Sequence, residues 1–175
     1  MSRTLIVVTG PSGAGKTAAS RLLAASFDRG VHLRTDDFLA AIVAGGVDPA
    51  SPDANHQNHV VGGAFVAASF AFATGGYTVV LDGHVFADAL AQLAPACAAR
   101  GVALHHALLL ADLDTCVERV RRRDGEIADL GALARLHDRA RHGVPAERIV
   151  DASPDPVEVA RAVRAAFGEG RLRLA

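Results

Sequence analysis

The chain has no tryptophan, one tyrosine, one methionine, two cysteines and a single lysine in 175 residues. With aromatics at only 5%, the core must come from aliphatic side chains and alanine, which suits helices packed closely on a sheet. A formal net charge of −1 does not imply a polyanion-binding surface, and no nucleic-acid partner is expected. Cys97 and Cys116 have neither metal-ligand nor redox spacing and read as buried thiols in helices. The apolar stretch Val60–Ala73 is interrupted by Gly62, Gly63 and Ser69 and is shorter than the ~20 residues of a membrane span. The first apolar run leads straight into a glycine-rich loop, which leaves no room for a signal peptide. These absences point to a cytoplasmic protein without a membrane partner, a single domain over residues 1–175, as a monomer or homodimer.

The one lysine stands in the most informative stretch. Residues 10 to 17 read Gly-Pro-Ser-Gly-Ala-Gly-Lys-Thr and fit the P-loop pattern G-x-x-x-x-G-K-[ST] at Gly10, Gly15, Lys16 and Thr17. The backbone N–H groups of Gly10, Ser12, Gly13, Ala14 and Gly15 can cradle phosphate oxygens. Lys16 adds a point charge, and Thr17 offers a hydroxyl to Mg²⁺. The context agrees: Thr4–Thr9 is an apolar, β-branched run typical of a buried parallel strand. Lys16–Phe27 then reads as a helix with Leu22, Leu23 and Phe27 on one face, its N-terminus aimed at the anion.

A second strand, Val31–Thr35, delivers Asp36-Asp37-Phe38 at its carboxyl end, where open α/β sheets bind ligands. One carboxylate can take the proton of an acceptor hydroxyl. The other can order Mg²⁺ or cap the next helix, expected over Phe38–Ala44. A loop over residues 45–52 precedes a long helix opened by Asp53 or Asn55 and running towards Ala73. Its first turns carry His56, Gln57, Asn58 and His59. His56 and His59 lack further ligands nearby in sequence for zinc, so polar-substrate recognition by His56 and Asn58 is the functional reading and a solvated helix end the bland one. Tyr77–Gly83 is a buried strand ending in Asp82, a Walker B shape that would hold Mg²⁺ directly or through water, with His84 just beyond on the substrate side.

Ala87–Arg100 reads as a helix that Pro95 kinks or splits, and Val102–Leu110 as a strand containing His105 and His106. Asp112–Arg123 forms a helix ending in Arg119, Arg121, Arg122 and Arg123. Asp124-Gly125-Glu126 interrupts it, and a second helix from Asp129 carries Arg135, Arg139 and Arg141. Two arginine-bearing helix ends around a polar hinge make a lid over residues 119–142 that could close on phosphates; the alternative is a solvated basic face. Glu147–Asp151 is a fifth strand. Ser153 or Asp155 caps the last helix, Pro156–Phe167, with Val157, Val159, Val163 and Phe167 inward. The tail from Gly168 has no clear pattern.

These motifs resemble those of the small P-loop kinases related to adenylate, gluconate and shikimate kinases and to chloramphenicol phosphotransferase. The chain is most similar to bacterial members without an assigned substrate, on Asp36-Asp37-Phe38, His56-Gln57-Asn58 and Gly76–Gly83. The resemblance implies a three-layer α/β P-loop NTPase fold with a five-stranded parallel sheet, order 2-3-1-4-5, and a short helical lid. It also implies ATP and Mg²⁺ as cofactors and phosphoryl transfer to a hydroxyl of a small molecule. Lys16, Asp36, Asp37, Arg119 and Arg123 would be catalytic, Asp36 the preferred base, and Asp151-Ala152-Ser153 would lie near the nucleotide base. The competing expectation is a nucleotide-dependent switch with slow hydrolysis, which has no need of an acceptor base.

Overall fold

The structure is a computed structural model that describes residues 3–85, 87–124 and 129–174. Its elements are β1 (Thr4–Thr9), α1 (Lys16–Ala25), β2 (Gly30–Arg34), α2 (Thr35–Ala40), α3 (Asn55–Thr74), β3 (Thr78–Asp82) and α4 (Ala87–Ala99). They continue as β4 (Ala103–Leu110), α5 (Leu113–Asp124), α6 (Leu130–Arg141), β5 (Ile149–Asp151) and α7 (Pro156–Gly168). The strands form one parallel sheet in the order β2-β3-β1-β4-β5, the expected P-loop architecture.

Alternation along the strands divides the core into two layers. Ile6, Val8, Val80, Ala107 and Leu109 face α1 and α7 and pack with Leu23, Val159 and Val163. Leu5, Val7, Val79, Leu81 and Leu104 face α3 and α4 and pack with Phe70, Ala73, Leu90 and Leu93. β1 is buried along its whole length, as a central strand covered on both faces must be. The register sets Val8 beside Asp82 and Asp82 beside Arg34. The carboxyl ends of β1, β2 and β3 therefore finish level, and that shared edge positions the site.

Several local expectations are corrected. α2 starts at Thr35 rather than Phe38, so Asp36 and Asp37 lie inside its first turn, where the helix dipole favours negative charge. Neither caps it: the N-cap is Arg34, without a side-chain bond. A 3₁₀ turn, Pro52–Ala54, precedes α3. Pro95 does not split α4. Val157, expected inward, is 45% exposed, and Leu22 of α1 is 40% exposed. Both lie along the open seam between α1 and α7. Asp155 caps α7, accepting from the N–H groups of Val157 and Glu158. Of the expected lid hinge, Gly125 and Glu126 lie outside the described residues. Among the described residues, no helix is long and apolar enough to cross a membrane.

The tail has a place after all. β5 pairs only with Leu108–Leu110, which leaves the first half of β4 unpaired on that side. The tail runs antiparallel there: His106 N–H donates to Leu172 O at 2.8 Å and Leu174 N–H to Leu104 O at 2.9 Å. Leu172 is fully buried. The tail thus satisfies backbone groups that a three-residue β5 cannot reach.

Candidate active site

The loop of residues 10–15 joins β1 to α1, with Gly15 as the N-cap of α1 in the left-handed conformation (φ 77°). Among the described residues, nothing lies within 4 Å of where a Gly15 side chain would begin, so the loop is open on that side. The Ala14 N–H turns back onto Pro11 O at 3.2 Å. Lys16 folds its ammonium onto the loop, donating to the carbonyls of Gly10 and Pro11 at 3.0 Å each. Burial pushes its pKa down, and the negative charges of Asp82 and Asp36 push it back up. A charged group held by two neutral carbonyls in an open, glycine-lined cradle at a helix N-terminus fits a bound polyphosphate.

Asp82 ends β3 and is 2% exposed. One carboxylate oxygen lies 3.5 Å from the Thr17 hydroxyl; the other takes a 2.5 Å bond from His32 Nε2. Because a carboxylate only accepts, Nε2 carries the hydrogen. His32 pairs in register with Val80, one diagonal step from Asp82 on the same face of the sheet. Thr17 and Asp82 are hard oxygen donors of the kind Mg²⁺ takes, alongside water and phosphate oxygens. Among the described residues, no group of three or more His, Cys, Asp or Glu is arranged to hold a metal. A nucleotide-borne Mg²⁺ needs no such group.

The two adjacent aspartates have different surroundings. Asp37 pairs with Arg34 at 3.1 Å. Asp36 is within electrostatic reach of both Lys16 and His84. The start of α2 is seated by Gly83: a Cβ there would lie 2.0 Å from Thr35 Oγ1 and 2.5 Å from Thr35 Cγ2. The glycine after Asp82 thus lets α2 dock against β3 with Asp36 at the edge. His84 keeps one side open to solvent. Its ring is nevertheless partly desolvated by its surroundings and repelled by the Lys16 ammonium, which together lower its pKa to about 4, so it is neutral at pH 7.

The arginines divide likewise. Arg119 sends its guanidinium to the carbonyls of Ala152, Ser153 and Pro154 at 2.7, 2.7 and 3.4 Å. It lines a cavity of about 210 Å³ between Ala14, Gly15, Ala19 and the loop before α7. In this structure its donors hold the 152–154 loop. Arg123, one turn further along α5, is close enough to lower the Lys16 pKa. Arg122 pairs with Glu118 at 2.5 Å and Arg135 with Asp129 at 3.5 Å, both on the surface.

At α3 the structure brings less together. Gln57 takes the Val47 N–H at 2.8 Å and donates to Val47 O at 2.7 Å. Asn58 donates to Pro49 O at 2.9 Å. Both clamp the preceding loop, and Asn58 remains exposed. His56 and His59 are exposed. His32 and Arg34 went unnoticed in the sequence. Their signal was alternation: two polar side chains, two apart, on a short strand that otherwise shows Val31 and Leu33 and ends at the ligand-binding edge.

A parallel sheet of this order, with a G-x-x-x-x-G-K-T loop between β1 and α1 and carboxylates at the edges of β2 and β3, defines the P-loop NTPase fold. The chain belongs to the AAA domain family, whose sequence profile matches residues 5–147. No curated protein sequence matches it. Among solved structures, the tunicamycin resistance protein of Deinococcus radiodurans superposes with a TM-score of 0.69 at 22% identity, covering 96% of each chain. The gluconokinase of Sinorhizobium meliloti 1021 gives 0.71 at 18%, covering 97% of this chain and 94% of that one. The APS kinase of Mycobacterium tuberculosis, solved with AMPPNP and APS, gives 0.69 at 16%, covering 94% and 97%. At these identities the likeness establishes a shared fold.

Proposed function

We propose that the protein is an ATP- and Mg²⁺-dependent kinase that phosphorylates a hydroxyl of a small molecule, with Asp36 as the base. The observation that carries this reading is the convergence at one sheet edge of Lys16, Thr17, Asp82, Asp36 and His84, with Asp36 alone of the two adjacent aspartates left in reach of Lys16. The loop N–H groups and Lys16 bind the β- and γ-phosphates. Thr17 and Asp82 hold Mg²⁺, which neutralises charge on those phosphates. Asp36 accepts the hydroxyl proton of the acceptor as its oxygen bonds to the γ-phosphorus and the bond to the departing ADP oxygen breaks. Neutral His84 orients the acceptor. Arg119 and the loop before α7 form the wall for the nucleotide base, and Arg123 is the lid arginine that stabilises charge on the transferred group. The lid spans about residues 119–142 of a single domain, and the enzyme works in the cytoplasm.

A Mg·ATP phosphorylation screen against nucleosides, sugars, aminoglycosides, phenicols and shikimate-like acids tests the reading. The expected result is a product lost in Asp36→Asn with ATP affinity kept. Nucleotide binding with only slow hydrolysis, equal in both proteins, would point instead to a switch.

A further inference from the structure

We propose that His32 is a positioning residue for Mg²⁺: its Nε2–H fixes the Asp82 carboxylate so that the opposite oxygen is presented to the Thr17 hydroxyl. The proposal rests on the kinase reading above.

Asp82 has two oxygens with separate tasks. One accepts from His32 at 2.5 Å, the other faces Thr17 Oγ1 at 3.5 Å. A carboxylate at the end of a strand rotates about its last torsion unless something holds it. Here the holder comes from the neighbouring strand, because β2 and β3 run parallel with His32 one diagonal step from Asp82. The His32 side chain is 15% exposed and that of Asp82 3% exposed. The bond is therefore shielded from water, where a charge-assisted hydrogen bond is strongest. The alternative partner, Arg34, lies directly opposite Asp82 in register but turns to Asp37. The constraint on Asp82 thus falls to the imidazole. Outer partners of this kind tune metal affinity by about 10- to 100-fold.

The test measures Mn²⁺ binding to the AMPPNP-loaded protein by electron paramagnetic resonance, and AMPPNP binding in EDTA by calorimetry. His32→Leu is expected to weaken Mn²⁺ binding by about tenfold or more, with metal-free AMPPNP affinity unchanged. His32→Gln, whose amide N–H reaches about as far as Nε2, is expected to recover most of the loss. If the leucine variant does not fold, His32→Asn, polar but too short to reach Asp82, carries the same expectation. Mn²⁺ affinity unchanged in the leucine or asparagine variant overturns the role of His32 alone. So does a glutamine variant as impaired as leucine, since the ring would then act by packing. A wild type that binds AMPPNP neither with nor without metal overturns the kinase reading, and the role of His32 with it.

Discussion

The carboxyl edge of the sheet and the first turns of α3 are both rich in polar residues, and both stood out as candidate sites. At the edge, the polar groups come from α1, from the continuous β2–α2 segment and from β3, separate stretches of the chain, and Asp36 and Thr17 stay exposed. At α3, Gln57 and Asn58 satisfy the backbone of residues only nine or ten positions away. Their hydrogen-bonding capacity is consumed locally, holding a loop that has no secondary structure to satisfy its own N–H and C=O groups. A polar cluster in sequence can therefore be a site or a scaffold. What separates the two is whether its donors and acceptors remain available after folding.

The sharpest way to break that contrast is to exchange carboxylates at the edge. Asp36→Asn should lower kcat by about 10³-fold, within the range of a lost general base, while Asp37→Asn should cost only a few-fold, because Asp37 is spent on Arg34. Steady-state kinetics on the acceptor found in the screen compares the two, and equal losses would remove the distinction drawn between them.

The next largest effect concerns histidines that are neither site nor scaffold. His106 is 2% exposed in β4, and its Nε2 has no hydrogen-bond partner among the described residues. Burial, and secondarily Arg148, lower its pKa to about 4. Above the ordinary value of 6.5 neither the folded nor the unfolded chain binds the proton, so its contribution to stability is fully present. Between pH 6.5 and 4 the unfolded chain protonates first, and stability falls by about 1.4 kcal/mol per pH unit from this group, about 3 kcal/mol by pH 4. His84 titrates in the same window, so the check is how the unfolding free energy from urea titrations changes with pH in wild type and in His106→Leu. The variant should lose less stability on acidification.

Gly83→Ala should disturb the edge without touching a charge. The added methyl would overlap Thr35, displacing the start of α2 at a cost of about 1–3 kcal/mol. Kinetics should show a fall in kcat together with the drop in Tm. An unchanged kcat would mean that Asp36 does not depend on that contact. The smallest effect belongs to α3. Asn58→Ala should cost about 1 kcal/mol of stability and leave kcat within about twofold. A large kcat loss there would make α3 a second part of the site and dissolve the contrast.

Much of this was legible in the chain. The P-loop is recognisable because phosphate binding demands glycines, a lysine and a hydroxyl at fixed spacing from a strand and a helix. The sheet order followed from the resemblance that those motifs carry. The lapses share one cause. Val157 is placed inward by helical periodicity, which assigns a face but not whether a neighbour covers it. The carbonyls of residues 152–154 that Arg119 meets lie far along the chain, where local spacing gives no sign of them. The tail had no pattern of its own because it borrows its order from β4.

By itself the sequence determined the loop, the strands that carry it and the carboxylates that end β2 and β3, since local spacing and hydrophobic period encode all three. The tertiary structure alone decided that Arg34 pairs with Asp37, that His32 grips Asp82, and that Asn58 bonds to a loop. Those outcomes depend on parallel register and close approach between segments distant in the chain, and the burial that makes such contacts strong exists only once the layers have packed.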